Sequence, residues 1–371
     1  MEYTSSVDRP VSIETRNPIE SLLTISGALD RVAGYPRLRF MGSKYKLVSW
    51  IAEILQKLDF DTVLDAFSGS GVVAYYFKSL GKTVVSNDFL NFTFENSRAL
   101  IENGSEKVTS IDVEKLLTPV GANSHFIRRT FEGVFYSPAD LDFLDNVAQN
   151  IQRLCGSYKK SLAVAALTRA CLKKQPRGVF TVANTGVRYD DGRRDLRLSL
   201  QEHFLEQIEV YNSAVFDNGR RNMAVRSSVF ELSPSIYENM DLVYLDPPYV
   251  PRADDNDYIK RYHFVEGLSN YWSEDAVMSA SKVKKLPKRY TPFAYRRSAL
   301  DAFDRMFRMF QRSIVVLSYS SNGYPDLDDL LAILRRYKHQ TEVFSKDHRY
   351  HFGTHSAVRR SVVEEFLIVG R

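Results

Sequence analysis

The sequence predicts an α/β fold, a sheet with helices on both faces, interrupted by a long inserted region that is mainly helical. Three observations predict it. A strand, a glycine-bearing turn, a helix and a second strand follow one another between Thr62 and Asp88; strand-like and helix-like runs alternate again after residue 217; and the stretch between them carries helical patterns.

Residues 1–34 are expected to form an N-terminal extension. No apolar run in Met1–Asp30 is long enough for a secretory h-region or a membrane span, which predicts a cytoplasmic protein. "TVLDAF", from Thr62, reads as a buried strand, Ser68–Gly71 as a tight turn, Val72–Leu80 as a helix stopped by Gly81, and "KTVVSND" as a strand ending on Asp88. These lie in the first part, 35–92, of the main domain. The insert, 93–217, contains a helix that Ser137 and Pro138 would start well, then the loop-like, basic "QPRGVFTVANTGVRYDDGRRD". The second part, 218–371, alternates strand-like runs at Ala224–Phe230, Leu242–Leu245 and Ile314–Tyr319 with helix-like runs near Tyr258–Ala276, Ser298–Phe310 and Pro325–Tyr337. "EFLIVG" supplies a last strand.

At 371 residues, with 44% hydrophobic and 26% charged, the chain should fold and bury a large core. A net charge of +5 and a pI near 8.9 permit a polyanionic partner without establishing one. Cys155 and Cys171 lack zinc or disulfide spacing; both are expected to pack as small apolar residues in helices, in a reducing compartment.

Two stretches carry chemistry. In "LDAFSGSGVVA", Gly69 and Gly71 remove the Cβ atoms that would keep a ligand off a strand-to-helix turn. With Ala74 they also satisfy the dinucleotide pattern GxGxxA, and Asp88 stands where a ribose-binding acid belongs, so a nicotinamide-dependent oxidoreductase remains open. A plain turn, and an Asp88 that merely caps the next helix, remain open too.

In "MDLVYLDPPYVPR", Asp246 should emerge at the carboxyl end of a buried strand, where ligands sit in open α/β sheets. Pro247 and Pro248 fix φ at successive residues and stiffen the loop. The Asp246 carboxylate and the Pro247 carbonyl could accept both hydrogens of an exocyclic amino group and aim its lone pair at a methyl donor, while Tyr249 stacks on the flipped base.

"DAFSGSG" followed by "DPPY" resembles the S-adenosylmethionine-dependent amino-methyltransferases, and the order resembles the α-class, Dam-like adenine-N6 DNA methyltransferases. "LRFMGSKYKLVSWI" stands where that family has its first cofactor motif, and about 175 residues between Gly71 and Asp246 leave room for an inserted target-recognition region. The likeness extends over most of 35–371 and implies a Rossmann-like methyltransferase sheet. It implies that Phe40 and Lys44 line the methionine end of S-adenosyl-L-methionine, that Asp65, Phe67, Gly69 and Gly71 belong to the cofactor loop, and that Asp88 holds the ribose. Phe230 falls where the family sets a ring against the cofactor's adenine, although Val229 replaces its usual acidic neighbour. Asp246 would contact both target and cofactor. Asp rather than Asn or Ser before "PPY" favours adenine as target. The sulfonium is a sufficient electrophile, so no metal is expected.

Double-stranded DNA would then be the partner, a cognate restriction endonuclease a functional one, and the enzyme is expected to be a monomer. Lys282–Arg297, "KVKKLPKRYTPFAYRR", has seven Lys or Arg, no acid and three aromatic residues, as a phosphate-tracking segment would. Lys284, Lys285, Lys288 and Arg289 are its candidate contacts; a mobile basic loop is the bland alternative. In the insert, Arg177 and Arg188, with Lys173, Lys174, Arg193 and Arg194, could read guanine edges, or pair with Asp190, Asp191 and Asp195. Tyr262 and His263 are candidates for contact with DNA or for packing under the active-site loop. His348, His351 and His355 lack the spacing of metal ligands and are expected in a loop near DNA. Three functions stay in view: DNA adenine methylation, nicotinamide redox chemistry, and silent nucleic-acid binding on the same fold.

Overall fold

Short runs of Val, Leu, Ile and Tyr with no polar alternation suit strands covered on both faces. The computed structural model, which describes residues 18–121, 125–183, 192–251, 257–274, 276–349 and 362–371, places them so. Its strands are β1 (Thr62–Asp65), β2 (Thr83–Asp88), β3 (Met223–Arg226), β4 (Leu242–Leu245), β5 (Val250–Pro251), β6 (Ile314–Ser320), β7 (Gly323–Tyr324), β8 (Thr341–Arg349) and β9 (Val362–Gly370). Seven form one sheet in the order β3-β2-β1-β4-β6-β9-β8, and β5 pairs with β7 in a small antiparallel ribbon. The first five strands of the sheet are parallel; β9 runs antiparallel between β6 and β8.

Alternate residues of each central strand enter opposite cores. Val63, Leu242, Tyr244 and Val316 pack with Val72–Ser79, Tyr258–Ser269 and the helices of the insert; Leu64, Val243, Leu245, Val315 and Leu317 pack with Arg296–Met309 and Leu327–Leu334. Helices therefore cover both faces. The helices between β2 and β3, from Asn91–Ser97 to Leu200–Ala214, share the first of these cores: Leu100, Leu162, Phe204 and Tyr211 join Tyr76 and Phe264 in one apolar cluster.

Several expectations are corrected. The strand expected at Ala224–Phe230 leaves the sheet at Arg226; Ser227 N–H still bonds Asp88 C=O, and Val229–Glu231 then turns as a 3₁₀ helix, which swings Phe230 out of the ladder. The helix expected to run to Ala276 ends at Ser269, because Tyr271 and Trp272 take left-handed φ values of 52° and 53°. Trp272 N–H closes that end onto Gly267 C=O, and a Cβ on Gly267 would meet the indole at 2.1 Å. β8 was not expected: "TEVFSKDHR" is polar enough to read as loop, and it pairs through one edge only. His348, expected in a loop near DNA, therefore stands opposite Val363 in the sheet, while His351 and His355 lie outside the described residues. Cys171 is buried as expected, but Cys155 is exposed at the turn after Pro138–Arg153 rather than packed in a helix.

Candidate active site

The carboxyl ends of β1, β2, β3 and β4, with Asn322 beyond β6, line one cavity of about 590 Å³. It spans the point where the order reverses, with β1's connection leading to β2 on one side and β4 lying on the other, where open α/β sheets bind ligands.

The floor is the turn after β1. Gly69 and Gly71 have φ values of 49° and 76°, open to residues without a Cβ. A Cβ on Gly69 would meet the Phe40 ring at 2.8 Å, and one on Gly71 the Tyr35 hydroxyl at 2.7 Å. The turn is braced from behind: Tyr35 O–H donates to Ser70 C=O at 2.6 Å and accepts from Asn96 Nδ2 at 2.9 Å. Phe40 lies over Tyr262 (5.2 Å, 12°) and Tyr258 (5.3 Å, 23°), so the aromatic wall comes from both ends of the chain.

Asp88 ends β2. Its oxygens accept the N–H groups of Gly69 and Leu90 at 2.8 and 2.9 Å, tying the glycine turn to the start of the next helix. Both capping and lining are thus combined in one carboxylate. On the β3 side, Phe230 stacks on Phe293 (5.5 Å, 12°), and Phe67 meets the same ring edge-on (5.5 Å, 89°).

Asp246 follows β4. Lys44 Nζ reaches its two oxygens at 2.8 and 2.7 Å and Gly42 C=O at 3.1 Å. Burial raises the Asp246 carboxyl above its ordinary range, with Lys44 opposing this and Glu365 adding to it. Burial pulls Lys44 down, but Asp246 and Glu365 more than offset it and its pKa lies above the usual value. Tyr249 tilts against Tyr319 (5.1 Å, 58°) at the same mouth.

Asp65 was expected among the cofactor contacts, and its state is the most telling. It is 1% exposed and lines the cavity, and no side chain bonds either carboxylate oxygen; only the Phe67 and Ala74 backbone N–H groups lie near enough to oppose burial. Burial raises its pKa well above the carboxylate range, and Asp246 and Asp88 add to that. A buried acid with no charged partner, beside buried Asp88 and half-buried Asp246, is a donor set for a cationic ligand. Among the described residues no group of three His, Cys, Asp or Glu is arranged to hold a metal ion.

Residues 40–318 match the D12 class of N6 adenine-specific DNA methyltransferases. The chain belongs to that family. Among the relatives of this D12-class methyltransferase, the type II methyltransferase M2.HphI of Haemophilus parahaemolyticus is 30% identical over 85% of this chain and 92% of its own length. Modification methylase StsI of Streptococcus sanguinis is 25% identical over 81% of this chain and 46% of its own, and modification methylase LlaI of Lactococcus lactis subsp. lactis 23% identical over 81% and 49%. The chain therefore spans about half the length of the last two. Membership sets aside both the oxidoreductase and the catalytically silent binder: the D12 methyltransferase is an enzyme that acts on DNA adenine.

The expected DNA contacts divide. Tyr262 and His263 are 1% and 0% exposed and lie in the core: the Tyr262 hydroxyl accepts Met41 N–H at 2.7 Å and His263 Nε2 lies 2.9 Å from Phe180 C=O, which corrects their assignment to DNA. Arg289 points inward, 2.7 Å from buried Glu266. Lys284 bonds Ser279 C=O, and Lys288 reaches over the Tyr295 ring at 5.1 Å; Lys285 is half-buried. In the insert, Lys173 pairs with Asp195, Lys174 with Asp140 and Arg194 with Glu206; Arg177 is exposed; Arg188 lies outside the described residues. Sequence reasoning missed Tyr35, Phe293 and Glu266. Phe293 had a signal, an aromatic residue after proline in the basic run; the others had none.

Proposed function

We propose that this chain transfers a methyl group from S-adenosyl-L-methionine to N6 of a flipped adenine at a specific site in double-stranded DNA, as the modification enzyme of a restriction-modification system. One observation carries the reading: Asp246–Tyr249 and the Phe67–Ser70 turn line one cavity whose buried acids suit a cationic donor. The names of the relatives, type II and modification methylases, support the biological setting.

Bound there, S-adenosylmethionine supplies an electrophilic methyl group on a sulfonium. Asp65, which has no charged partner, would hold the ammonium, Asp88 would offer its remaining lone pairs to the ribose, and the Phe230–Phe293 pair would flank the adenine ring. Each Asp246 oxygen keeps a lone pair beside the one Lys44 uses, so the carboxylate and the Pro247 carbonyl accept the two hydrogens of the target N6 and direct its lone pair along the in-line path. Tyr249 stacks on the target base, and the surplus N6 proton leaves to solvent. Residues 93–217 act as the target-recognition region, and a monomer suffices for one strand at a time.

The test is nucleoside mass spectrometry of unmethylated duplex DNA after incubation with the donor. Wild type yields N6-methyladenine; Asp246→Ala and the shape-conserving Asp246→Asn lower the yield by at least about a hundredfold, as expected when a transition-state acceptor is removed. Wild-type protein that binds S-adenosylhomocysteine yet leaves every DNA base unmodified would overturn the reading.

A further inference from the structure

A single exposed aromatic side chain is ordinary at a protein surface, but one held in place at the lip of a reactive cavity is set to meet what enters it. Among the described residues, Tyr290 is the large exposed apolar side chain that also lines the Asp246 cavity, and it is 62% exposed. Its position is built. The ring stacks on Tyr295 (5.3 Å, 20°), and its hydroxyl donates to Ser298 Oγ at 3.3 Å. On its other side Arg289 is fastened to buried Glu266, which itself accepts the N–H groups of Asn91 and Phe92. Lys288 stands beside the pair, over the Tyr295 ring. An aromatic ring is thus fixed at the cavity mouth, next to a cation, with the face away from Tyr295 open to solvent.

We infer that Tyr290 enters the DNA base stack at the place the target adenine vacates. The inference rests on the adenine-methylating function proposed above. Extruding a base breaks its pairing and two stacking contacts, and a ring that fills the gap restores part of what was lost. Tyr249 lies inside the cavity and serves the extruded base; Tyr290, at the rim, is placed for the duplex that remains. Tyr290 is accordingly a positioning residue for extrusion, not for methyl transfer.

The test uses duplexes carrying the site that wild type methylates, with the target adenine either paired or opposite an abasic position. Tyr290→Ala lowers kcat/KM roughly tenfold on the paired duplex and stays within about threefold of wild type on the unpaired one; Tyr290→Phe stays near wild type on both. With 2-aminopurine as target, fluorescence on binding rises less in Tyr290→Ala than in wild type, while affinity for S-adenosylhomocysteine is unchanged. Tyr290→Ala within about twofold of wild type on the paired duplex, an equal loss on both duplexes, or a loss confined to cofactor affinity overturns the inference. Absence of N6-methyladenine with wild type is a different result and strikes the proposed function itself.

Discussion

At the scale of single residues, the Lys44–Asp246 pair couples charge to chemistry. The ammonium holds down a carboxyl that burial drives up, and in the proposed function Asp246 has to be ionised to accept the amino hydrogens. Activity is therefore present above the Asp246 pKa and lost as pH falls through it. Lys44→Met removes the restraint, so the acidic limb of the kcat profile should move to higher pH by at least about one unit. An unchanged limb in a folded variant would mean that another group titrates there. Asp65 behaves differently: with no cation beside it, its burial cost is met by holding a proton, or by a bound cation.

Among elements, the connection that matters most runs from Tyr258–Ser269 to the basic segment. Glu266, fully buried, caps Asn91–Ser97 with its oxygens and holds Arg289 at 2.7 Å. Glu266→Gln removes the buried carboxylate that Arg289 pairs with and should lower stability by about 3 kcal/mol, read from urea midpoints. A shift within the error of the midpoint would show that Arg289 finds other partners. Nothing in the sequence announced this link, since an acid inside a helical run looks like any solvated face. What was legible there had local causes. The glycine turn needs φ values only glycine adopts readily, Asp246 follows an apolar run, and Val72–Ser79 ends close to the expected stop at Gly81. What was not legible depended on partners distant in the chain. β8 is a strand because β9 pairs with it, Tyr262 is buried because Phe40 stacks on it, and Arg289 turns inward because Glu266 is there.

On the scale of the whole molecule, buried histidine sets a pH limit. Burial lowers His263 from its ordinary 6.5 to about 4, so the folded chain keeps it neutral where the unfolded chain protonates it. Stability from this group is full above pH 6.5 and falls as pH drops toward 4, by on the order of 3 kcal/mol. His263→Gln, which can still donate to Phe180 C=O and does not titrate, should lose less stability than wild type between pH 7.5 and about 5, measured by urea denaturation. Equal losses would place the acid sensitivity elsewhere. The apolar cluster that joins the insert to the sheet has a wider consequence. Leu162, Phe204 and Tyr211 support Tyr76 and Phe264 as much as they support one another. With residues 93–217 in the target-recognition role proposed for them, a lineage acquires a new recognition sequence by altering side chains and loops on the outer surface while the shared interior stays fixed, not by exchanging the region wholesale, as one changes the head of a tool.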